Sequence, residues 1–374
     1  MSAAAPTIVG PPGETLHPTS ARRILATAIV ALLVTVLIDA AAVVGLDRHP
    51  LNHTDQVVRA KWALLRRQTT PVDTLVLGDS TGNYGVVPDI LAARLGGTAL
   101  NLCTVGDLLA VNDAWMLERY IRDVGPPRTV VLVHAFDVWG RTHNPAAIAQ
   151  VPMSFGFWND VRPVARLSIG EEGEVLLYRY VPLYSQDNTI SRLFKSPRMT
   201  LARSLDMDPS GFLRAYRALP DEVLKDSAFQ IAQIERAKGD EPVSAENREA
   251  LDFLSALAQR HHFDVYVSHS PLYEGLWANA RFRQYHDRLD DALLAIAASR
   301  PRLRIIPGPP RTFPADRMTN VDHLTEEGAR SITESLAAEI ATRRDGRAMR
   351  YPAEGSGKAA DPPLTAPGGG EPRR

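Results

Sequence analysis

The chain has 374 residues, 45% of them hydrophobic, and a net charge of −1, so it can bury a full core as one large domain or two ordinary ones. At a pI of about 6.8 it lacks the excess positive charge that holds nucleic acid, which is set aside as a partner. The single cysteine, Cys103, excludes an internal disulfide and any cysteine-based zinc cluster.

Residues 1–21 are rich in Pro, Gly, Ala and Thr, lack periodicity, and are expected to form a disordered tail. From Ile24 to Leu46 runs a 23-residue apolar segment broken only by Asp39. It is long enough to cross a ~30 Å hydrocarbon core at about 1.5 Å per residue, so residues 22–46 read as a transmembrane anchor. Ala40-Ala41-Ala42 offers a signal-peptidase site instead, but the long preceding region and the apolar character beyond the alanines favour retention. Arg22-Arg23 favour a cytoplasmic N-terminus, whereas Arg48, Arg59, Lys61 and Arg66 just after the span point the other way. A long folded domain follows the charge rule poorly, so charge alone leaves the side open.

Beyond the anchor, short apolar runs alternate with helical periodicity. Strands are expected at Thr74–Leu77, Ala99–Leu102, Thr129–His134, Asp264–Ser268 and Leu303–Ile306. Helices are expected at Val87–Leu95, Leu108–Asp123, Ala245–His261, Tyr285–Ala298 and Ala329–Ala341. This alternation predicts an α/β domain with a parallel sheet covered on both faces and ligands at the strand C-termini. Its two parts are residues 47–140 and 244–344. His261-His262 ends a predicted surface helix and reads as solvated rather than metal-binding, because no Cys, Asp or Glu shares its face.

Between them, residues 141–243 break the alternation and read as an insertion, a lid or substrate platform, with helical pieces at Gly211–Leu219 and Asp221–Lys238. Its aromatics Phe155, Phe157, Trp158, Tyr178, Tyr180 and Tyr184 can stack on sugar rings or make a small core of their own. Residues 345–374 form a Pro/Gly-rich tail expected to be disordered.

Two segments can carry chemistry. Val76-Leu77-Gly78-Asp79-Ser80-Thr81-Gly82-Asn83-Tyr84-Gly85 follows a strand and precedes a helix. A serine there stands at the sheet's C-terminal edge, near backbone N–H groups that can stabilise negative charge. Glycines at 78, 82 and 85 allow a tight turn and close approach of a substrate. An ordinary strand-to-helix turn uses the same residue types. The second segment is Asn320-Val321-Asp322-His323-Leu324-Thr325-Glu326-Glu327-Gly328, just ahead of a helix that Thr325 can cap and whose first turn suits Glu326-Glu327. A loop in that place can present the His323 imidazole to a nucleophile, or it can be a surface turn.

Taken together, these segments resemble the SGNH (GDSL-like) hydrolase superfamily over roughly residues 72–137 and 262–342. Asn101-Leu102-Cys103-Thr104-Val105-Gly106 resembles the family's second block, and Val131-Leu132-Val133-His134-Ala135-Phe136-Asp137 stands in the place of the third. The resemblance implies a flavodoxin-like three-layer sandwich around a central parallel sheet, the SGNH fold. It implies Ser80 as nucleophile, His323 as base, and the N–H groups of Ser80 and Gly106 as the oxyanion hole. Neither cofactor nor metal is expected. Two positions depart from the family pattern. Phe136 stands where an asparagine usually supplies a further oxyanion donor, so either Asn83, Asn112 or Asn144 fills in or only two N–H groups remain. Losing such a donor costs ~2.7–4 kcal/mol of transition-state stabilisation. Asn320 stands where the acid usually is. Asp322 can replace it if the loop turns its carboxylate to Nδ1, and Asn320 can instead orient the ring as amides do in Cys-His-Asn sites. A carboxylate also stabilises the imidazolium, which favours Asp322.

A single N-terminal span with such a domain and a long insertion is similar to the family's cell-envelope branch, which includes the alginate O-acetyltransferase type and proteins assisting D-alanylation of teichoic acids. That likeness implies an extracytoplasmic serine esterase or O-acyltransferase acting on a polysaccharide or glycolipid, with a multi-pass membrane acyltransferase as partner. The alternatives are a general tethered carboxylester hydrolase, and a catalytically weak scaffold that binds polysaccharide or an assembly partner.

Overall fold

Five short apolar runs form one parallel sheet: β1 (Thr74–Gly78), β2 (Ala99–Asn101), β3 (Thr129–His134), β4 (Asp264–His269) and β5 (Leu303–Ile305). The computed structural model describes residues 18–48, 53–152, 164–181, 184, 205–236 and 241–348. The strand order is β2-β1-β3-β4-β5, all neighbours parallel. Chain order reverses between β2 and β3, with β1 between them, and this opens a crevice at the C-terminal ends of these strands.

Side chains alternate across the pleat. Leu75, Leu77, Val130, Leu132, Val265 and Val267 face one helical layer. It is built from α2 (His53–Arg66), α5 (Leu109–Asp123), α9 (Ala245–His261) and α10 (Ala280–Ala298). Val76, Val131, Val133 and Tyr266 face the other, where Leu91 of α4 (Pro88–Leu95) meets Leu336 and Ile340 of α11 (Glu326–Ala348). Both faces are thus covered, which is why the strands read as unbroken apolar runs.

Further helices are α1 (Pro18–Arg48), α3 (Ser80–Gly85), α6 (Pro145–Ile148), α7 (Ile169–Tyr180), α8 (Pro220–Arg236) and a short one at Glu274–Ala278. The Arg22–Gly45 stretch of α1 is long and apolar enough to cross a membrane, with a mean hydropathy of 2.5. The helix starts at Pro18, inside the expected N-terminal tail, and continues past residue 46 to Arg48. Residues 1–17 and 349–374, where most of the two expected tails fall, lie outside the described residues, as do Phe155, Phe157 and Trp158.

Several elements differ from expectation. α10 begins at Ala280, not Tyr285, because Asn279 Oδ1 accepts from the N–H groups of Arg281 (3.0 Å) and Phe282 (3.2 Å). α11 runs from Glu326 to Ala348 and so overruns the expected tail boundary. Gly211–Leu219 is not helical. There Asp208 Oδ1 accepts from the N–H groups of Ser210 (3.0 Å) and Phe212 (3.1 Å), Gly211 sits at φ +91°, and Pro220 biases residue 219 away from the helical region. Tyr178 packs against the main core and meets Tyr184 at 5.7 Å, while Tyr180 and Tyr184 are exposed.

Gly78, the last residue of β1, has φ +138°, and a Cβ there would overlap the carbonyl of Val133 on β3. Gly78→Ala is expected to destabilise the fold by at least about 2 kcal/mol. Urea denaturation of the detergent-solubilised full chain measures it, and a change below about 0.5 kcal/mol contradicts this account.

Candidate active site

Asp79 and Ser80 stand where β1 turns into α3. The Asp79 carboxylate is buried and caps α3: Oδ1 accepts from Thr81 N (2.8 Å) and Thr81 Oγ1 (2.7 Å). Its Oδ2 accepts from Ala135 N at 2.7 Å, at the end of β3. One side chain therefore fixes the start of the helix against the neighbouring strand. Ser80 is the first residue of α3, where the N–H has no intrahelical acceptor and remains available to an anion. Gly82 serves packing rather than substrate approach, because a Cβ there would press on Cys103 Sγ (2.5 Å).

The second segment forms a closed loop. Asn320 Oδ1 accepts from Asp322 N (3.0 Å) and His323 N (2.7 Å), and the His323 carbonyl accepts from Thr319 N (2.9 Å). His323 Nδ1 lies 2.6 Å from Asp322 Oδ1 and 2.7 Å from Asn320 Oδ1. Both residues weighed for orienting the ring are thus within reach of the same nitrogen. Thr325 immediately precedes α11, where its carbonyl accepts from Ala329 N at 2.9 Å and its hydroxyl donates to the Arg317 carbonyl at 3.1 Å. Glu326 and Glu327 pair instead with Arg330 (2.9 Å) and Arg317 (3.1 Å). Burial pulls the His323 pKa down, but the adjacent Asp322 carboxylate outweighs it and raises the pKa above the ordinary 6.5.

The two segments meet. Ser80, Asn320, Asp322 and His323 line one cavity of about 430 Å³ at the strand C-termini, together with Gly106. Among the described residues no hydrogen bond joins Ser80 Oγ to His323, whose ring is held by Asn320 and Asp322. Gly106 admits no side chain, because a Cβ would come within 2.7 Å of Val138 Cγ2. Phe136 turns away into the core, edge-on to Phe282 at 4.8 Å. Of the three substitute amides, Asn112 is buried and bonded to Thr104 Oγ1 and Trp62, and Asn144 caps α6. Asn83 lines the cavity, but its amide donates to the Thr104 carbonyl at 2.5 Å.

Several polar groups here carry no distinguishing mark in the sequence. Arg141 borders Gly106 and bridges Asp107 (2.9 Å) and Asp137 (2.5 Å). His53 Nε2 meets Tyr84 Oη at 3.0 Å, and the Tyr84 ring lies 5.5 Å from His323. Asp226 and Gln230 of α8 reach the same cavity from the insertion. Behind the site, His134 Nε2 contacts Asp113 Oδ2 at 2.6 Å, and its Nδ1 lies 3.6 Å from Asp79 Oδ2. Asp113 Oδ1 also accepts from Gly78 N at 3.0 Å. Burial alone would lower the His134 pKa, but the Asp113 and Asp79 carboxylates push it up to about 10. The one faint signal for Asp113 is a pair of polar residues, Asn112-Asp113, inside an apolar helical run.

Lys61 is also wholly buried. Its amine donates to the carbonyls of Gly211 (2.5 Å) and Asn101 (3.0 Å) and to Asn101 Oδ1 (3.2 Å), and burial pushes its pKa down to about 7. It is therefore not one of the membrane-flanking charges, although its place in the chain suggests that role. Asn101 Nδ2 in turn donates to the carbonyls of Gly82 and Val86, both at 2.9 Å.

No family model matches the chain, and no curated protein matches its sequence.

The raised His134 pKa fixes a sign. A group whose folded pKa lies above its unfolded value stabilises fully below that unfolded value, here 6.5, and loses the contribution as pH climbs to about 10. His134→Gln, which leaves two buried carboxylates without their cation, is expected to cost about 3–5 kcal/mol at pH 6. The gap to the parent chain should narrow steadily towards pH 10 in denaturation curves. A pH-independent gap would show that His134 is not charged in the folded chain.

Proposed function

We propose that the chain is a membrane-anchored serine acyl-ester hydrolase or O-acyltransferase of the SGNH type, acting on a cell-envelope polysaccharide or glycolipid. The observation that carries this reading is that Ser80 and His323, from opposite ends of the domain, line one cavity while His323 Nδ1 is held by a carboxylate. The β2-β1-β3-β4-β5 order is also that of flavodoxin-like sheets.

In this reading His323 Nε2 takes the proton of the Ser80 hydroxyl as Oγ attacks the ester carbonyl. The oxyanion is met by the N–H groups of Ser80 and Gly106, and the Arg141 guanidinium beside Gly106 adds positive potential where the usual amide is replaced by Phe136. His323 then returns its proton to the departing alkoxide, leaving an acyl-Ser80 ester. Water or a sugar hydroxyl, deprotonated by the same imidazole, attacks that ester and frees Ser80. Asp322 stabilises the imidazolium in both steps, and Asn320 holds the loop and ring. The walls carry Asp107, Asp137, Asp226 and Asp322 beside the apolar Val57, Val105, Val138 and Leu213, with Arg141 as the one lining arginine among the described residues. Such a lining suits a neutral or amino-bearing, hydroxyl-rich substrate better than a polyanion. The anchor, an extracytoplasmic domain and a multi-pass acyltransferase partner belong to the same proposal.

A second reading, a scaffold that binds polysaccharide without turnover, draws on Phe136, which removes a donor from the oxyanion site. Turnover of p-nitrophenyl acetate by the purified chain and by Ser80→Ala separates the two. The variant is expected to lose about 10³-fold or more, and equal slow rates in both proteins favour the scaffold. Transfer of acetyl to an oligosaccharide, seen by mass spectrometry, separates a transferase from a general carboxylester hydrolase.

The base works only when neutral, so kcat/KM should fall as pH drops through a midpoint above 6.5, in keeping with the raised pKa of His323. Asp322→Asn is expected to move that midpoint down and to lower kcat by about 10²–10⁴-fold. Asn320→Ala should change the midpoint less. A midpoint unmoved by Asp322→Asn would remove the carboxylate from the mechanism.

A further inference from the structure

We infer that the outward side of α7 lies in the headgroup layer of the membrane crossed by α1, so that the domain is seated on the bilayer rather than suspended above it. This rests on reading α1 as an anchor, though not on the catalytic assignment.

The observations concern one helix with two apolar sides. Val175 and Tyr178 of α7 face inward, Val175 fully buried. On the opposite side Ile169, Leu176, Leu177 and Tyr180 are 89%, 40%, 38% and 46% exposed. With Gly173 they fall within an arc of about 100° at helical spacing. Glu172, Glu174 and Arg179 flank the arc rather than interrupt it. A domain that needed this helix only for its core would have no use for apolar residues on the second side.

The neighbour of α7 says what covers the arc. α1 packs against α7. Within Arg22–Gly45 the side chains are exposed except for Asp39, Ala42 and Val43, which are half-buried. That places the contact at the C-terminal end of the apolar stretch, where a spanning helix leaves the hydrocarbon. The arc thus begins at the level of the membrane–water interface. A tyrosine at its end and charged residues along its margins match the residue types favoured at that depth.

The same face leads to the cavity by two routes. α7 rests on α6, and α6 packs against the Gly106–Leu108 turn that carries the candidate oxyanion glycine. α2 begins at His53, a residue of the cavity wall, five peptide links after α1 ends at Arg48. That tether is at most ~18 Å long when fully extended. A seated domain therefore holds its cavity within reach of an ester or hydroxyl carried on a lipid headgroup.

The test uses the full chain in nanodiscs of phosphatidylcholine and phosphatidylglycerol, one copy per disc. Nitroxide labels are placed by Leu177→Cys, by Tyr180→Cys, and by Glu334→Cys on the opposite face of the sheet. The native Cys103 is fully buried and its thiol pKa is raised by that burial, so it stays unlabelled. The expected result is an oxygen-to-nickel-chelate collision ratio at 177 and 180 at least threefold that at 334. Equal ratios in a chain that has entered the discs overturn the seating and leave the anchor intact. Failure of the chain to enter discs overturns both. Protection at 177 that arises only in discs holding two copies assigns the face to a second copy and likewise overturns the inference.

Discussion

The Asp79 carboxylate is the constraint on which the site depends. Burial would ordinarily raise its pKa, yet the nearby His134 ring and the donors of Ala135 and Thr81 hold it below the ordinary carboxylate range. The ionised group joins the first turn of α3 to the end of β3, and through His134 and Asp113 it is coupled to Gly78 N. A buried carboxylate is tolerable only when its lone pairs are so engaged. Here that satisfaction also sets where Ser80 stands. The serine's position is thus decided by the residue before it and by two polar groups behind the sheet.

The loop around His323 solves a related problem with local means. Asn320 Oδ1 collects two backbone N–H groups and approaches the ring, which shapes the turn, while Asp322 brings the negative charge. A shape-giving amide and a charge-giving carboxylate can divide tasks that a single acid often performs. The division explains why an Asn at position 320 need not disable the ring: the field that raises the His323 pKa comes chiefly from Asp322.

Residues between 205 and 236 contribute to the candidate cavity. α8 supplies Asp226 and Gln230 to the cavity, and the 208–213 turn docks on the body through Lys61, whose amine binds the Gly211 carbonyl. Lys61 has no carboxylate within hydrogen-bond reach among the described residues and relies on carbonyl oxygens. Its lowered pKa follows from that desolvation. The same amine meets Asn101, which binds the carbonyls at the end of α3, so the docking of the insertion and the placement of the Ser80 helix share one hydrogen-bonded group.

Local sequence determined the strands, most helices, the apolar N-terminal span and the two loops that carry Ser80 and His323. These depend on periodicity and turn chemistry, which act over a few residues. The misplaced pieces were also local in origin. The non-helical Gly211–Leu219 follows from the Asp208 turn, Gly211 at φ +91° and the bias that Pro220 imposes on residue 219. The early start of α10 follows from the Asn279 cap. Only the tertiary structure decided that the two loops share a cavity, and that Phe136 enters the core instead of facing it. The folded chain alone also pairs Arg141 with Asp107 and Asp137 beside Gly106, and locks His134 between two carboxylates. Those outcomes join residues far apart in the chain, where the energy lies in burial and charge pairing, and no short stretch of sequence records which distant partner will satisfy a buried group.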